Sequence, residues 1–244
     1  EGAIKAVIKE YDEPFGNPSA IAAYYCMKMA SDNGVEILLG GDGGDENLAG
    51  YSRYVKDKIY GIYQVLPKCL RESLLEPVIC RGPLKDAPFF RKLRNYIEHS
   101  NLPLPERFYL YELYPMRERA QIFREDFLEE VDPFGPLKVL ERYYNTPDTS
   151  YRLNRLTYLD SRVALMGNDI SNKIGKVSRA TGVGARFPML DRRLWELGAE
   201  IPVSLKLKGF QKNRSGCYLR ILCGMFSYFI YRTEIIFTET YESL

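Results

Sequence analysis

The residues best suited to chemistry form a glycine-rich acidic segment at positions 40–46, with the sequence GGDGGDE. Its four glycines let the backbone approach a ligand closely and turn its N–H groups toward an anion. Asp42 and Asp45 would repel a bare phosphate, but they suit a site in which Mg²⁺ lies between carboxylate and phosphate. The segment therefore predicts a phosphate and Mg²⁺ site. The alternative is a turn without a ligand, because D-G and G-G are common turn dipeptides.

The elements around this segment are typical of an α/β sheet. Ser19 is predicted to cap a helix over residues 19–31, where apolar residues recur at helical spacing. Residues 35–39, VEILL, predict a buried parallel strand, and a second helix is expected to begin near Glu46. Helix, strand, glycine-rich loop and helix in this order indicate a doubly wound sheet, which binds ligands at the carboxyl ends of its strands.

The rest of the chain is predicted to be largely helical. Residues 54–151 combine helical spacing with many prolines, and residues 153–174 predict a longer helix. A glycine-broken segment follows over residues 175–184, and another helix is expected over residues 190–198. We find no internal repeat, and we predict one compact domain.

Composition excludes several classes of protein. The chain has 34 basic and 32 acidic residues, so a strongly basic nucleic-acid binder is not indicated. Its longest apolar run, residues 221–231, is too short to cross a membrane and is flanked by Arg220 and Arg232. The chain begins at Glu1 without an initiator Met, which predicts that it is the remainder of a longer protein.

The cysteines and the single histidine limit the available chemistry further. The five cysteines are scattered without a C-x-x-C pair and indicate reduced thiols in the cytoplasm. They are Cys26, Cys69, Cys80, Cys217 and Cys223. Because His99 is the only histidine, neither a histidine-containing zinc site nor a histidine-activated nucleophile is indicated.

Charge is unevenly distributed along the chain. Residues 1–50 contain nine acidic and three basic residues, a balance of −6, whereas residues 169–220 contain eleven basic and four acidic residues, a balance of +7. Two solvated faces of opposite sign would explain this. The alternative is a cleft in which an acidic wall holds a cation and a basic wall holds phosphates.

Three separated segments resemble the asparagine synthetase family. Residues 11–20, YDEPFGNPSA, match its D-E-P-F-x-D/N-x-S-A stretch, and residues 36–54, EILLGGDGGDENLAGYSRY, match its S-G-D/E-G-x-D-E-x-x-x-G-Y-x-R-Y loop. Residues 185–209, ARFPMLDRRLWELGAEIPVSLKLKG, match its E-x-R-x-P-F-L-D-x-x-L segment. The order is that of the family, so the resemblance is expected to cover residues 1–212, with a divergent tail at 213–244.

The resemblance implies an adenine-nucleotide alpha-hydrolase-like doubly wound parallel sheet, present in part, with a largely helical second half. It implies a ligase that uses ATP and Mg²⁺ to convert aspartate to β-aspartyl-AMP, which ammonia from a glutaminase domain then amidates. By position, Gly40 and Gly41 would contact ATP, Asp42 would lie near aspartate and Asp45 would hold Mg²⁺. The expected partners are aspartate or a related carboxylate, ammonia and a second copy in a homodimer, with no nucleic acid and no membrane.

Other residues match the family with less definite roles. Lys212 lies where the family has the lysine that stabilises negative charge during adenylation, but NRSGC separates it from the expected Y-L-R context. Lys212 is therefore either that lysine followed by an insertion, or part of an eroded site. Asp12 and Glu13 either hold the chain near the site or form a turn. Glu46 either supports the metal shell or caps a helix, and capping is the expected role.

Two further residues, Arg186 and Asp191, match family positions that indicate architecture: an ion pair or a helix cap next to the site.

The sequence also departs from the family pattern. The S-G-G-x-D-S loop and the glutaminase domain do not occur in these 244 residues. Gly40 replaces serine, while Gly175, Arg179 and Gly184 replace Asp, Met and Glu. These departures predict an incomplete chain that is inactive on its own. The alternatives are a relative that amidates another carboxylate and a non-catalytic remnant.

Overall fold

The computed structural model describes residues 2–13, 15–80, 82, 87–109, 123–132, 134–209 and 211–212. The chain divides into two compact units, whereas the sequence analysis predicted one domain. The first, here called the loop unit, comprises Glu1–Gly50 and Leu165–Leu244, and the second, the helical unit, comprises Tyr51–Ala164. The tail predicted at 213–244 lies outside the described residues.

Helices account for most of the described chain, as the sequence predicted for its second half. The elements before the helical unit are α1 (Gly2–Ile8), α2 (Ser19–Asp32), β1 (Ile37–Leu39) and α3 (Gly44–Asn47). The next are α4 (Ser52–Val65), α5 (Lys68–Leu70), a π-helical turn (Arg71–Leu75), α6 (Glu76–Cys80), α7 (Pro88–Asn101), α8 (Glu125–Glu130), α9 (Gly135–Asn145) and α10 (Arg152–Asp160).

The remaining elements follow α10, and the first two of them continue it without a break. They are a π-helix (Ser161–Gly175), α11 (Lys176–Thr181), β2 (Gly184–Arg186), a 3₁₀ turn (Pro188–Leu190), α12 (Arg192–Glu200), α13 (Val203–Lys206), β3 (Leu207–Lys208) and β4 (Gln211–Lys212). The long helix predicted over 153–174 is thus α-helical only in its first part, and the glycine-broken segment contains α11. No helix in the described ranges has the length and apolar character needed to span a bilayer.

Strand β1 pairs with β2 in parallel, which confirms the predicted strand direction. Ile37 lies opposite Gly184 and Leu39 opposite Arg186. The ladder continues one residue beyond β1, because the Gly40 N–H donates to the Arg186 carbonyl oxygen at 2.8 Å. The first loop residue is therefore held in line with the strand.

The two faces of this small sheet differ in burial. Leu38 and Ala185 pack against the core of the loop unit. That core consists of Val7, Ala20, Met27, Ala30, Val177 and Val183. On the opposite face, Ile37 is 53% and Leu39 is 75% exposed. The predicted burial of the strand is therefore confirmed on one face only.

The predicted cap of α2 was wrong, because Pro18 holds the capping position and makes no side-chain capping bond. Ser19 is the first residue of the helix, not its cap. The Asn17 Oδ1 atom accepts hydrogen bonds from the Ser19 N–H at 3.0 Å and from its hydroxyl at 2.6 Å. Asn17 therefore satisfies the first free N–H of the helix, because its side chain reaches past Pro18.

The helical unit is held together by two buried carboxylates as well as by apolar packing. Asp57 accepts from the buried Arg107 at 2.7 and 3.0 Å, and it also pairs with Arg152 at 3.0 Å. Asp160 is buried and pairs with Arg53 at 2.8 Å, and it also accepts the hydroxyl protons of Tyr54 and Tyr109. Each buried carboxylate is thus compensated by several donors.

Candidate functional site

The glycine-rich loop lies at the carboxyl end of β1, as the sequence predicted. Helix α3 begins at Gly44, two residues before the expected start at Glu46. Gly43 precedes it with a φ of +102°, a left-handed conformation that side chains rarely adopt. Glu46 is buried within the first turn of α3, and Gly43 occupies the capping position.

One side of the loop packs against the third motif. A Cβ atom at Gly40 would lie 2.5 Å from Cε1 of Phe187, and one at Gly43 would lie 2.5 Å from Cδ2 of Leu190. Glycine is therefore required at both positions. At Gly41, by contrast, a Cβ would meet no atom within 4 Å. The loop thus has a packed side and an open side.

The loop offers two carboxylates for a cation. Asp42 is half-buried and Asp45 is exposed, at the first turn of α3. In the part of the chain that the structure describes, no group of three or more His, Cys, Asp or Glu residues is arranged to hold a metal ion. Because Mg²⁺ is commonly held by one or two carboxylates together with water and phosphate, this donor set fits Mg²⁺ and does not form a closed metal cage.

Helix α3 is anchored to α12 by a buried amide that the sequence analysis missed. The Asn47 Nδ2 atom donates to the carbonyl oxygen of Leu194 at 2.9 Å. Close by, Leu48 packs with Met189 and Leu194 in a small buried cluster. The sequence signal for this contact was Gly198. A glycine inside a predicted helix often marks the close approach of another group.

Asp12 holds the N-terminal segment against α11. Its carboxylate accepts a hydrogen bond from Lys176, and this bond lowers the pKa of Asp12 below its usual value. Nearby, the Tyr11 hydroxyl donates to the Asn172 carbonyl oxygen at 2.7 Å. Asp12 is thus more than a turn residue, although its partners lie on α11 and not in the loop. The side chain of Glu13 is exposed.

The expectation of an ion pair or cap at Asp191 is confirmed. Its Oδ1 accepts from the Arg193 N–H at 2.8 Å and so caps α12. The Arg193 guanidinium also donates to both carboxylate oxygens, at 2.9 and 2.8 Å, and lowers the pKa of Asp191. Arg186 is exposed, and its backbone carbonyl supports Gly40.

Lys212 lies in the short hairpin at the end of the described chain. Strands β3 and β4 are antiparallel, with Lys212 opposite Leu207, and Gly209 turns between them with a φ of +60°. The Lys212 side chain is outside the described atoms, so its role stays a prediction. Lys206, which no sequence pattern singles out, is only 4% exposed.

Comparison with known proteins agrees with the three motifs. The asparagine synthase family model matches residues 1–220, a little beyond the predicted limit of 212. Asparagine synthetase [glutamine-hydrolyzing] 1 of Bacillus subtilis (strain 168) is 26% identical over 207 residues, which cover 83% of this chain and 30% of that protein. A putative asparagine synthetase [glutamine-hydrolyzing] of Mycobacterium bovis is 24% identical over 210 residues, or 84% of this chain and 30% of that protein.

A shorter match concerns an archaeal relative. Putative asparagine synthetase [glutamine-hydrolyzing] 2 of Methanocaldococcus jannaschii is 41% identical over 61 residues, or 25% of this chain and 12% of that protein. No solved structure matches the chain. The chain spans about 30% of the length of the first two relatives, and the glutaminase domain is not in it. The family match over residues 1–220 nevertheless covers most of the sequence, and the chain belongs to the asparagine synthase family.

Proposed function

We propose that this chain provides one part of an ATP-dependent synthetase that amidates a carboxylate, with aspartate as the first candidate. The observation that carries the proposal is the loop at residues 40–46, which follows a parallel strand and is packed on one side only. Ligands of α/β sheets bind at this end of the strands. Ammonia would come from a glutaminase domain, which is not in this chain.

Each loop residue has a proposed role. The backbone N–H group of Gly41, on the open side of the loop, faces phosphate oxygens of ATP. The N–H group of Gly40 already donates to the Arg186 carbonyl oxygen, so Gly40 would contact ATP only through its Cα atom. Asp45 holds Mg²⁺, which when bound neutralises the charge that develops on pyrophosphate as it leaves. Asp42 lies near the acid to be activated and orients it. Lys212 is the proposed cation for the adenylation step.

A second candidate, a synthetase for an acid other than aspartate, is favoured by Phe187. Its ring occupies the space that a side chain at Gly40 would need, so the serine of the family pattern has no room here. An aromatic edge therefore lies beside the first loop residue, where the family pattern has a hydroxyl. Because a hydroxyl and a ring favour different groups, the preferred acid is expected to change.

A third candidate is a non-catalytic remnant, or a chain that is incomplete on its own. The replacements Gly175, Arg179 and Gly184 support it, together with the missing S-G-G-x-D-S motif. Arg179 is placed near Glu10, at 3.8 Å, in a contact that holds the N-terminal segment. We also propose that the chain has part of a fold of the adenine-nucleotide alpha-hydrolase type. We propose as well that it acts in the cytoplasm and assembles as a homodimer.

Titration calorimetry with MgATP tests the nucleotide site in the full chain. We expect wild-type protein to release heat and Asp45→Ala to lose it, whereas Asp148→Ala, which removes an exposed carboxylate in the helical unit, binds as wild type does. Absence of heat with the wild-type chain would favour the remnant.

Acid-dependent pyrophosphate release across a panel of carboxylic acids identifies the substrate when it is measured on the chain together with the parts of the synthetase that it lacks. Activity with aspartate in the isolated chain would contradict the proposal that it is inactive alone.

A further inference from the structure

Lys206 is the last residue of α13 in the loop unit and is almost completely buried, with 4% of its surface exposed. Lysine is among the side chains least often fully buried, and when it is buried it is normally paired with an acid. The neighbouring Leu207 is also buried, whereas Leu205 on the other side is 45% exposed, so burial within this segment begins at Lys206.

The Lys206 amine has no compensating group in the described part of the chain. Neither a hydrogen bond nor an ion pair with its side chain is present there, and burial is the single cause that lowers its pKa to about 8. Two other lysines of the loop unit are compensated, since Lys173 pairs with Asp169 and Lys176 pairs with Asp12. Lys206 therefore differs from its neighbours in bearing a buried charge without an anion.

Lys206 lies next in the chain to the hairpin that contains Lys212, a residue of the proposed site. It directly precedes β3, whose residue Leu207 lies opposite Lys212 in the hairpin. The surrounding stretch, residues 169–220, has a charge balance of +7, and most of the acids in it already serve other cations. An anion that enters this region would meet a desolvated ammonium, where electrostatic attraction is stronger than in water.

We propose that Lys206 is an anion-binding residue, whose partner is an oxyanion of a ligand and not a carboxylate of this chain. The identity of that ligand rests on the proposed function, which offers two oxyanions: the phosphate chain of the nucleotide and the carboxylate of the acid. The residue would hold its ligand as a point charge, as lysines do in phosphate sites. Titratable groups in enclosed surroundings are common at functional sites, which agrees with this role.

Thermal denaturation of the full chain tests the inference, with sodium pyrophosphate and sodium aspartate as separate probes. Sodium chloride of equal ionic strength is the reference. We expect one or both probes to raise the Tm of the wild type by about 3–5 °C when present at about ten times the Kd. The Tm of Lys206→Met should not respond. Lys56→Met, which removes an exposed lysine of α4, should respond as the wild type does.

The same variant gives a second expectation without any probe. Replacing an uncompensated buried charge by an apolar side chain of similar size should raise the Tm, by about 5 °C. A lower Tm for a folded Lys206→Met would show that the amine is structurally paired and would overturn the inference. An equal response of variant and wild type to both probes, or no response of the wild type to either, would overturn it as well.

A direct measurement on the wild type covers the case in which the variant does not fold. In protein labelled with ¹³C at lysine Cε, the Lys206 signal is expected to titrate near pH 8, and the bound probe should raise that pKa. An unchanged titration at saturating pyrophosphate and aspartate contradicts the inference. If pyrophosphate binding depends on Lys206 while MgATP releases no heat with the wild-type chain, the proposed function fails and the anion site stands.

Discussion

The side chain of Asn47 occupies the space that a side chain at position 198 would need. A Cβ atom built on Gly198 would lie 2.0 Å from the Asn47 Oδ1 atom, while the Nδ2 atom of Asn47 donates to the Leu194 carbonyl oxygen at 2.9 Å. Helix α3 can approach α12 this closely because residue 198 is glycine. Since α3 directly follows the glycine-rich loop, this contact fixes the far end of the loop.

Gly198→Ala should therefore loosen the loop as well as the core. The added methyl group would displace the Asn47 amide, and we expect a loss of about 1–3 kcal/mol in the free energy of unfolding, measured by urea denaturation. Gly41→Ala is the matched control, because its methyl group meets open space and should change stability by less than about 0.5 kcal/mol. Equal stability of the two variants would contradict the described fit.

The pair Gly40 and Phe187 permits a similar test with a rescue. Gly40→Ser places its Cβ against the Phe187 ring and should cost about 1–3 kcal/mol of stability. In Gly40→Ser/Phe187→Val, the smaller residue frees this space, so the double variant should be more stable than the sum of the single effects predicts. A double-mutant cycle in urea measures the coupling, and additive effects would show that the ring is not what excludes the serine.

Local sequence patterns predicted which residues form the loop better than they predicted the contacts that hold the loop in place. The apolar run before a glycine-rich acidic segment was sufficient to predict β1 and its parallel direction, and the third motif proved to lie against Gly40 and Gly43. The hydrogen bond from Asn47 joins residues 147 positions apart, and no periodicity encodes such a pair. Lys206 lies in an alternating S-L-K-L-K segment that gives no sign of burial, because burial depends on distant chain.

In the helical unit, removal of the buried Asp57 is expected to cost far more stability than removal of an exposed carboxylate. Its removal in Asp57→Ala would leave the buried Arg107 without its ion pair, and the expected loss of stability is about 3–5 kcal/mol in urea denaturation. Asp126→Ala is the control, because Asp126 forms an exposed pair with Arg124, for which a loss of about 0–1 kcal/mol is expected. Similar losses for both variants would mean that Arg107 finds other partners.

The lowered pKa of Lys206 predicts how stability depends on pH. Its pKa is about 8 in the folded chain and 10.5 ordinarily, so between these values the unfolded chain binds more protons than the folded one. Below pH 8 the folded chain bears the full cost of burying the charged amine, about 3 kcal/mol. This cost is removed as the amine loses its proton, so stability should rise from pH 8 to pH 10.5. Other groups titrate in this range as well, so the quantity to measure is the difference between wild type and Lys206→Met in urea. That difference should be largest at pH 7 and shrink toward pH 10, and a constant difference would show that Lys206 titrates normally.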